Sequence, residues 1–236
     1  MVAPAAALLF WAARDLPRLG DPGSPASLHV SPRYIENARE ETGAANMVTA
    51  ILADYRGFDT LGETVVVFTA GIACVLILLG SAAPTQRRRA TTEFGSPVLD
   101  AAVRLLTPFL MLFSAYVVVH GHDSPGGGFQ AGAVLAGALI LVRLLHGRDV
   151  AWGLGARAAL VLASAGVIVY AGIGAAALAL GAGYLDYVAL PLPGVGGARR
   201  ALATLAVEAS VFVAVTGVLS LIFYCLSPAT DDDTAK

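Results

Sequence analysis

Charge is scarce in this chain. Asp, Glu, Lys and Arg make up 14% of it, against about 25% in an ordinary soluble domain. The 57% that is hydrophobic, with a mean hydropathy of +0.73, is too much for one water-soluble core. Lysine is nearly missing, since arginine supplies 14 of the 15 cations. A net charge of −2 leaves no concentrated basic surface, which excludes nucleic acid as a partner. Only two cysteines occur, Cys74 and Cys225, both inside apolar runs where a thiol behaves as a small hydrophobe. Neither a disulfide nor a metal site is read from them. The chain also lacks a cofactor-binding motif and a nucleophile constellation, so it is read as a non-enzyme without a cofactor.

What it has instead is long apolar runs. A membrane helix needs about 20 mainly apolar residues to cross a hydrocarbon layer of roughly 30 Å. Runs near Thr64 to Ser81, Val98 to Val119, Ala158 to Gly183 and Ala201 to Leu226 meet this. Phe129 to Leu145 is a fifth, because Arg143 near its end can extend its guanidinium to the interface. Val2 to Ala13 is nearer the length of a signal-peptide core, yet has no basic n-region. Continued through Leu16 to Leu19 it would span. The expectation is therefore an all-α polytopic membrane bundle of six helices, with five as the alternative.

Between Gly20 and Gly62 the chain turns polar. Asp21-Pro22-Gly23-Ser24-Pro25 is turn chemistry, and Tyr34 to Glu41 is a polar helix-like run. Asn46 to Ala53 is too short to span but apolar enough to lie in the interface or re-enter, which the membrane tolerates only where protein or water satisfies the backbone.

Loop arginines set the orientation. Arg87, Arg88 and Arg89 follow the second run, and Arg143, Arg148 and Arg157 flank the loop after the fourth, whereas residues 120–128 carry no Lys or Arg. Both basic loops, and with six helices both termini, are placed in the cytoplasm. Arg199 and Arg200 on the other side run against this. Gly128, Gly132 and Ala136 put a small residue at every fourth position of the fourth span, and small faces let membrane helices approach closely. A generic alanine-rich helix is the alternative.

An ionisable group within a membrane helix costs roughly 3 kcal/mol on insertion scales, so each needs a reason. Glu208 lies eight residues past Arg200, about 12 Å along a helix, and Thr204 is one turn away on the same face. A buried carboxylate with a polar neighbour can exchange a proton or coordinate sodium through oxygen. The alternative is a structural acid bonded to a neighbouring helix. In a helix Arg56, Asp59 and Glu63 would share one side at the mouth of the second span. Glu63 could belong to a cation path, or the group could be an interfacial salt bridge anchoring a helix start. Asp54 is read as part of the break before Gly57. Asp100 and Arg104 form an i,i+4 pair, and Asp186 has no visible partner.

The third cluster runs His120-Gly121-His122-Asp123-Ser124-Pro125-Gly126-Gly127-Gly128-Phe129-Gln130. Its spacing matches no usual zinc pattern, and the Gly-Lys-Ser/Thr that ends a phosphate loop is missing. What remains is a tight glycine-permitted hairpin that carries His120 and His122.

The stretch HGHDSPGGGFQAG, His120 to Gly132, resembles the signature of the B-type component of Mrp-type (Mnh-type) multisubunit sodium/proton antiporters, over about residues 95 to 227. Tyr34-Ile35-Glu36-Asn37, Glu41-Thr42-Gly43, Asn46 and the run Ile51 to Glu63 resemble the C-terminal piece of the antiporters' large A-type component, or the E-type component of membrane-bound hydrogenases. The resemblance implies two fused modules, residues 1–81 and 98–227, joined by a basic cytoplasmic linker 82–97 and followed by an acidic tail 228–236. It implies an accessory subunit working beside A-, C-, D-, E-, F- and G-type partners in the bacterial inner membrane, associated with Na+ and H+ movement. It carries over Asp59 and Glu63 from the A-type piece, and His120, Pro125, Gly126, Gly127, Gly128 and Phe129 from the B-type piece. Asp59, Glu63 and His120, together with Glu208 and His122, are the candidates for a cation or proton path, with Arg56, Gly57 and the hairpin residues as its structural frame. A redox-driven hydrogenase-like pump, or a purely structural scaffold, stays open as an alternative.

Overall fold

The computed structural model describes residues 2–80, 97–146 and 154–226. The arginine loop at Arg87 to Arg89, Arg148 and the tail 228–236 lie outside these residues. Among the described residues the chain is all α, without a strand. Five helices are long and apolar enough to cross a membrane: α5 (Gly57–Gly80), α6 (Pro97–His120), α7 (Gly128–His146), α8 (Ala156–Ala179) and α9 (Gly197–Leu226). They coincide with the five full-length apolar runs. The first helix, α1 (Val2–Ala13), stops where Arg14 begins a turn and buries no residue. Its 12 residues reach about 18 Å, so the expected continuation to Leu19 does not form.

Helix α9 is the central post. Helices α5, α7 and α8 all pack against it, and α6 packs mainly on α7. Small residues make these contacts close. Gly132 abuts the Phe212 carbonyl and Val215, Gly166 abuts Ser210 and Ala214, and Gly217 abuts Ala159 and Ala163. Ala136 is fully buried. The stripe read from the sequence is thus a helix-packing face, as membrane helices require when lipid gives no hydrophobic drive.

The polar amino-terminal segment folds onto one end of the bundle as α2 (Pro25–Leu28), α3 (Ser31–Thr42) and α4 (Met47–Thr49), followed by a π-helical turn Ala50–Tyr55. Helix α3 ends at Gly43, whose φ of 79° is left-handed, and Gly43 sits against Gly197 at the start of α9. Asn46 caps α4 and donates its side-chain amide to the carbonyls of Gly121 and Ser124, at 2.9 and 2.8 Å. Thr49 donates to Gly121 O at 2.6 Å. These bonds tie the segment to the α6–α7 hairpin. The stretch 46–55 therefore runs straight into α5 after a break at Arg56, packed on protein through Thr49, Ala50 and Ala53.

Candidate functional site

A π-helical turn leaves carbonyls without their usual i+4 partner, and here side chains take them up. Tyr187 donates to Ala53 O at 2.6 Å and Thr60 to Leu52 O at 2.7 Å, and just beyond the turn Tyr170 donates to Gly57 O, the first carbonyl of α5, at 2.7 Å. Both tyrosines are fully buried. Gly57 leaves room for them, because a Cβ there would lie 3.1 Å from the Tyr187 hydroxyl.

The turn, α5, the glycine hairpin and α9 line a partly open cavity of about 290 Å³. Its walls include Thr49 and Leu52 from the turn region, Thr60, Glu63 and Thr64 from α5, Gly126, Gly127, Phe129 and Gln130 from the hairpin, and Glu208 from α9. Glu63 and Glu208, 145 residues apart in sequence, thus face one space. Glu208 is half-buried and accepts the backbone N–H of Gly128, the first residue of α7. The positive end of the α7 dipole faces its carboxylate. Close approach makes two glycines necessary. A Cβ at Gly128 would overlap the Glu208 carbonyl oxygen, and Gly127, at φ 143°, would press one toward the carboxylate.

The lining is rich in oxygen. Thr49, Thr60 and Thr64 have committed their hydroxyl protons to carbonyls, and the Thr49 oxygen also accepts from the Asn46 amide at 3.2 Å, so Thr60 and Thr64 are the hydroxyls that offer lone pairs to the cavity. With two carboxylates and the Gln130 amide, this set suits a proton or a hard cation. Among the described residues no three His, Cys, Asp or Glu side chains converge as a metal cluster.

Other candidates fall outside this cavity. Arg56 pairs with Asp59 on the exposed helix start. His120 is exposed, stacks on Tyr116 and bonds its carbonyl at 3.2 Å. His122 Nε2 bonds Gly43 O at 2.9 Å, which makes it a strut between hairpin and α3. Pro125 is exposed at the hairpin tip. Asp100 and Arg104 form their i,i+4 pair at 2.8 Å.

Three readings change. Thr204 does not reach Glu208, since it donates to Ala201 O in its own helix, and Gly128 bonds the acid instead. Asp54 is more than part of a break: its carboxylate meets Arg200 at 2.6 Å and is nearly buried. Burial raises the Asp54 carboxyl above its ordinary value, against the pull of Arg200. Asp186 is not unpartnered, because it caps a short 3-10 turn through Val188 N–H. Sequence reading also passed over Thr49, Thr60, Thr64 and Gln130 as cavity walls. Their only signal was hydroxyl and amide residues bordering the two acids. At the outer edge, Glu41 accepts from Tyr55 at 2.5 Å and from Arg33. These donors hold its carboxyl below the ordinary value, while Tyr55 is pushed up to about 12 by desolvation and by Glu41.

Residues 98–221 match the family described as "Domain related to MnhB subunit of Na+/H+ antiporter", and residues 23–93 match the family of the MBH E-type subunit, MbhE. A probable K(+)/H(+) antiporter A/B-type subunit of Rhizobium meliloti (strain 1021) is 30% identical over 129 residues, 46% of this chain and 13% of that protein. An uncharacterized protein of Methanocaldococcus jannaschii, MJ1307, is 28% identical over 53% of each chain. The chain thus spans only part of both. A Na(+)/H(+) antiporter B-type subunit of Bacillus subtilis (strain 168) is 28% identical over 51% of this chain and 85% of its own length. Among solved structures, a chain of the membrane-bound sulfane sulfur reductase, an archaeal respiratory membrane complex, matches with TM-score 0.69 and 29% identity, covering 94% of this chain and 99% of that one. A chain of the Mrp complex from Dietzia sp. DQ12-45-1b matches with TM-score 0.69 and 27% identity, covering 95% of this chain and 24% of that one.

Proposed function

Since the chain belongs to the family of domains related to the MnhB subunit of Na+/H+ antiporters, we propose that it is a multi-pass subunit of a multisubunit monovalent-cation/proton antiporter in the bacterial inner membrane. Its partners are the other subunits of such a complex. It works as a transport subunit and performs no catalysis of its own. The chain reads as two fused modules, an E-type piece ahead of a B-type piece, with the basic loops on the cytoplasmic side.

The observation that carries a direct part in transport is the convergence of Glu63 and Glu208 on one oxygen-lined cavity. Glu208 is held by an α7 N–H and Glu63 is open to the cavity mouth, so one acid is fixed and the other is free to meet an arriving ion. The two carboxylates line one space, so a proton or cation entering it meets an oxygen ligand from α5 and another from α9. Filling that space with Na+, K+ or H+ is competitive by charge alone, which is the elementary requirement of exchange. Asp59, His120 and His122 have no place in this cavity and act, in this reading, on the frame around it.

The test replaces Glu63 and Glu208 singly by Gln in the whole complex and measures cation-dependent proton flux in inverted vesicles. Flux falls at least tenfold while the subunits co-purify unchanged. Unchanged flux in an intact complex removes the two acids from transport and leaves a scaffold. A second reading places the module in a redox-driven membrane complex, and it is favoured by the reductase chain matched along 99% of its length. Genes for metal-cluster subunits beside this one would decide for it.

A further inference from the structure

The cavity is open on the side of α5. Helix α5 packs on α9 and α8, while α7 packs on α9 and α6, so the mouth lies between α5 and α7 in front of Glu208. The outward stripe of α5 there is Gly62, Glu63, Val66, Thr69, Ala70 and Ala73, all exposed. Their spacing of three and four aligns them on one face. Around Gly62 nothing lies within 4 Å of where a side chain would begin. On the outward faces of other spans bulky residues are more frequent: α6 presents Leu105, Phe109 and Leu112, and α8 presents Val161, Ile168 and Val169 beside the exposed Gly172.

Bulky apolar faces suit lipid, whereas the α5 face from Gly62 to Ala73 carries an acid, a threonine and small residues with Val66 as its one bulky side chain, and Leu76 and Ile77 follow only beyond it. Glu63 is the seventh residue of a span that begins at Gly57, about 9 Å inside it. An ionisable side chain directed at hydrocarbon is costly, and such groups face protein or water. The side chains lining the cavity include no Lys, Arg or His, so the chain itself offers Glu63 no cationic partner there. Small residues beside the acid would let another helix backbone come close.

We propose that the α5 stripe and the cavity mouth seat a membrane helix of another subunit of the same complex, which presents a hydrogen-bond donor or basic side chain to Glu63. This rests on reading the chain as a complex subunit and adds which face is covered, by what chemistry. The cavity is then completed by the partner, and its opening toward lipid is closed.

The experiment places the photo-crosslinker p-benzoylphenylalanine at Val66 or Thr69 in the complete complex, expressed with all its subunits, and irradiates membranes. Each position yields an adduct shifted by the mass of one other subunit, identified by mass spectrometry. An adduct with a second copy of this chain, or no protein adduct in a complex that purifies intact, overturns the proposal. If bulk at Val66 prevents assembly, Ala73, on the same stripe two turns further, gives the same readout. Flux is a separate measurement. If Glu63→Gln leaves flux unchanged while Val66 still captures another subunit, the ion-path reading fails and the docking surface stands.

Discussion

Arg200 Nη1 lies 2.6 Å from Asp54 Oδ1, across 146 residues of sequence, and the Asp54 side chain is only 7% exposed. The pair joins the first turn of α9 to the π-helical turn that walls the cavity. It is an ion pair that ties the amino-terminal segment to the central helix, and its charge balance depends on pH.

Arg200→Ala costs stability in a pH-dependent way. The folded-state Asp54 carboxyl stands above its unfolded value because burial outweighs Arg200. The folded protein therefore holds this proton more firmly, and the contribution of the group is full below the unfolded value and lost as pH rises through the folded one. Without Arg200, a protonated Asp54 leaves no charge unpaired, whereas an ionised one is stranded. The cost is small in acid and reaches about 3 kcal/mol in alkali. Thermal unfolding in detergent from about pH 3 to about pH 8, which brackets the carboxylate range and what lies just above it, checks it. Adding Asp54→Asn removes the alkaline penalty.

Tyr187→Phe strips the side-chain donor from the Ala53 carbonyl of the π-helical turn, and Tyr170→Phe strips the one on the Gly57 carbonyl at the start of α5. The first costs about 1–3 kcal/mol, the penalty of an unsatisfied buried group, and the second about 1 kcal/mol, the net worth of one hydrogen bond to a carbonyl already inside α5. The same thermal measurement reads it, and two unaffected melting curves would show that water replaces the hydroxyls.

Gly128→Ala forces α7 away from α9, because the new Cβ runs into the Glu208 carbonyl oxygen. Overpacking of this kind costs about 3 kcal/mol or more and takes the Glu208 hydrogen bond with it. Gly137→Ala on the same helix meets nothing within 4 Å and gains slightly from helix propensity. Yield of folded protein on size-exclusion chromatography separates the two.

Asn46→Ala removes the α4 cap and both amide bonds to the hairpin carbonyls. Loss of a cap costs about 1 kcal/mol, and the freed carbonyls add to it. Limited proteolysis shows the change as faster cleavage between residues 20 and 56, with the five spans left intact.

Length and hydropathy determined the spans, because crossing hydrocarbon demands an uninterrupted apolar helix and nothing else in the chain can supply one. The same reasoning marked Glu63 and Glu208 as acids in costly places and Gly128 and Gly132 as a packing face. Sequence spacing relates only residues a turn or two apart. It therefore paired Thr204 with Glu208, left Asp54 in a break and Asp186 alone, and could carry α1 as far as Leu19. Tertiary packing decided what local spacing cannot express: Gly128 as the partner of Glu208, Arg200 as the partner of Asp54, and one cavity shared by two acids 145 residues apart. Those contacts arise where separate helices meet around α9, and no periodicity within a single segment encodes them.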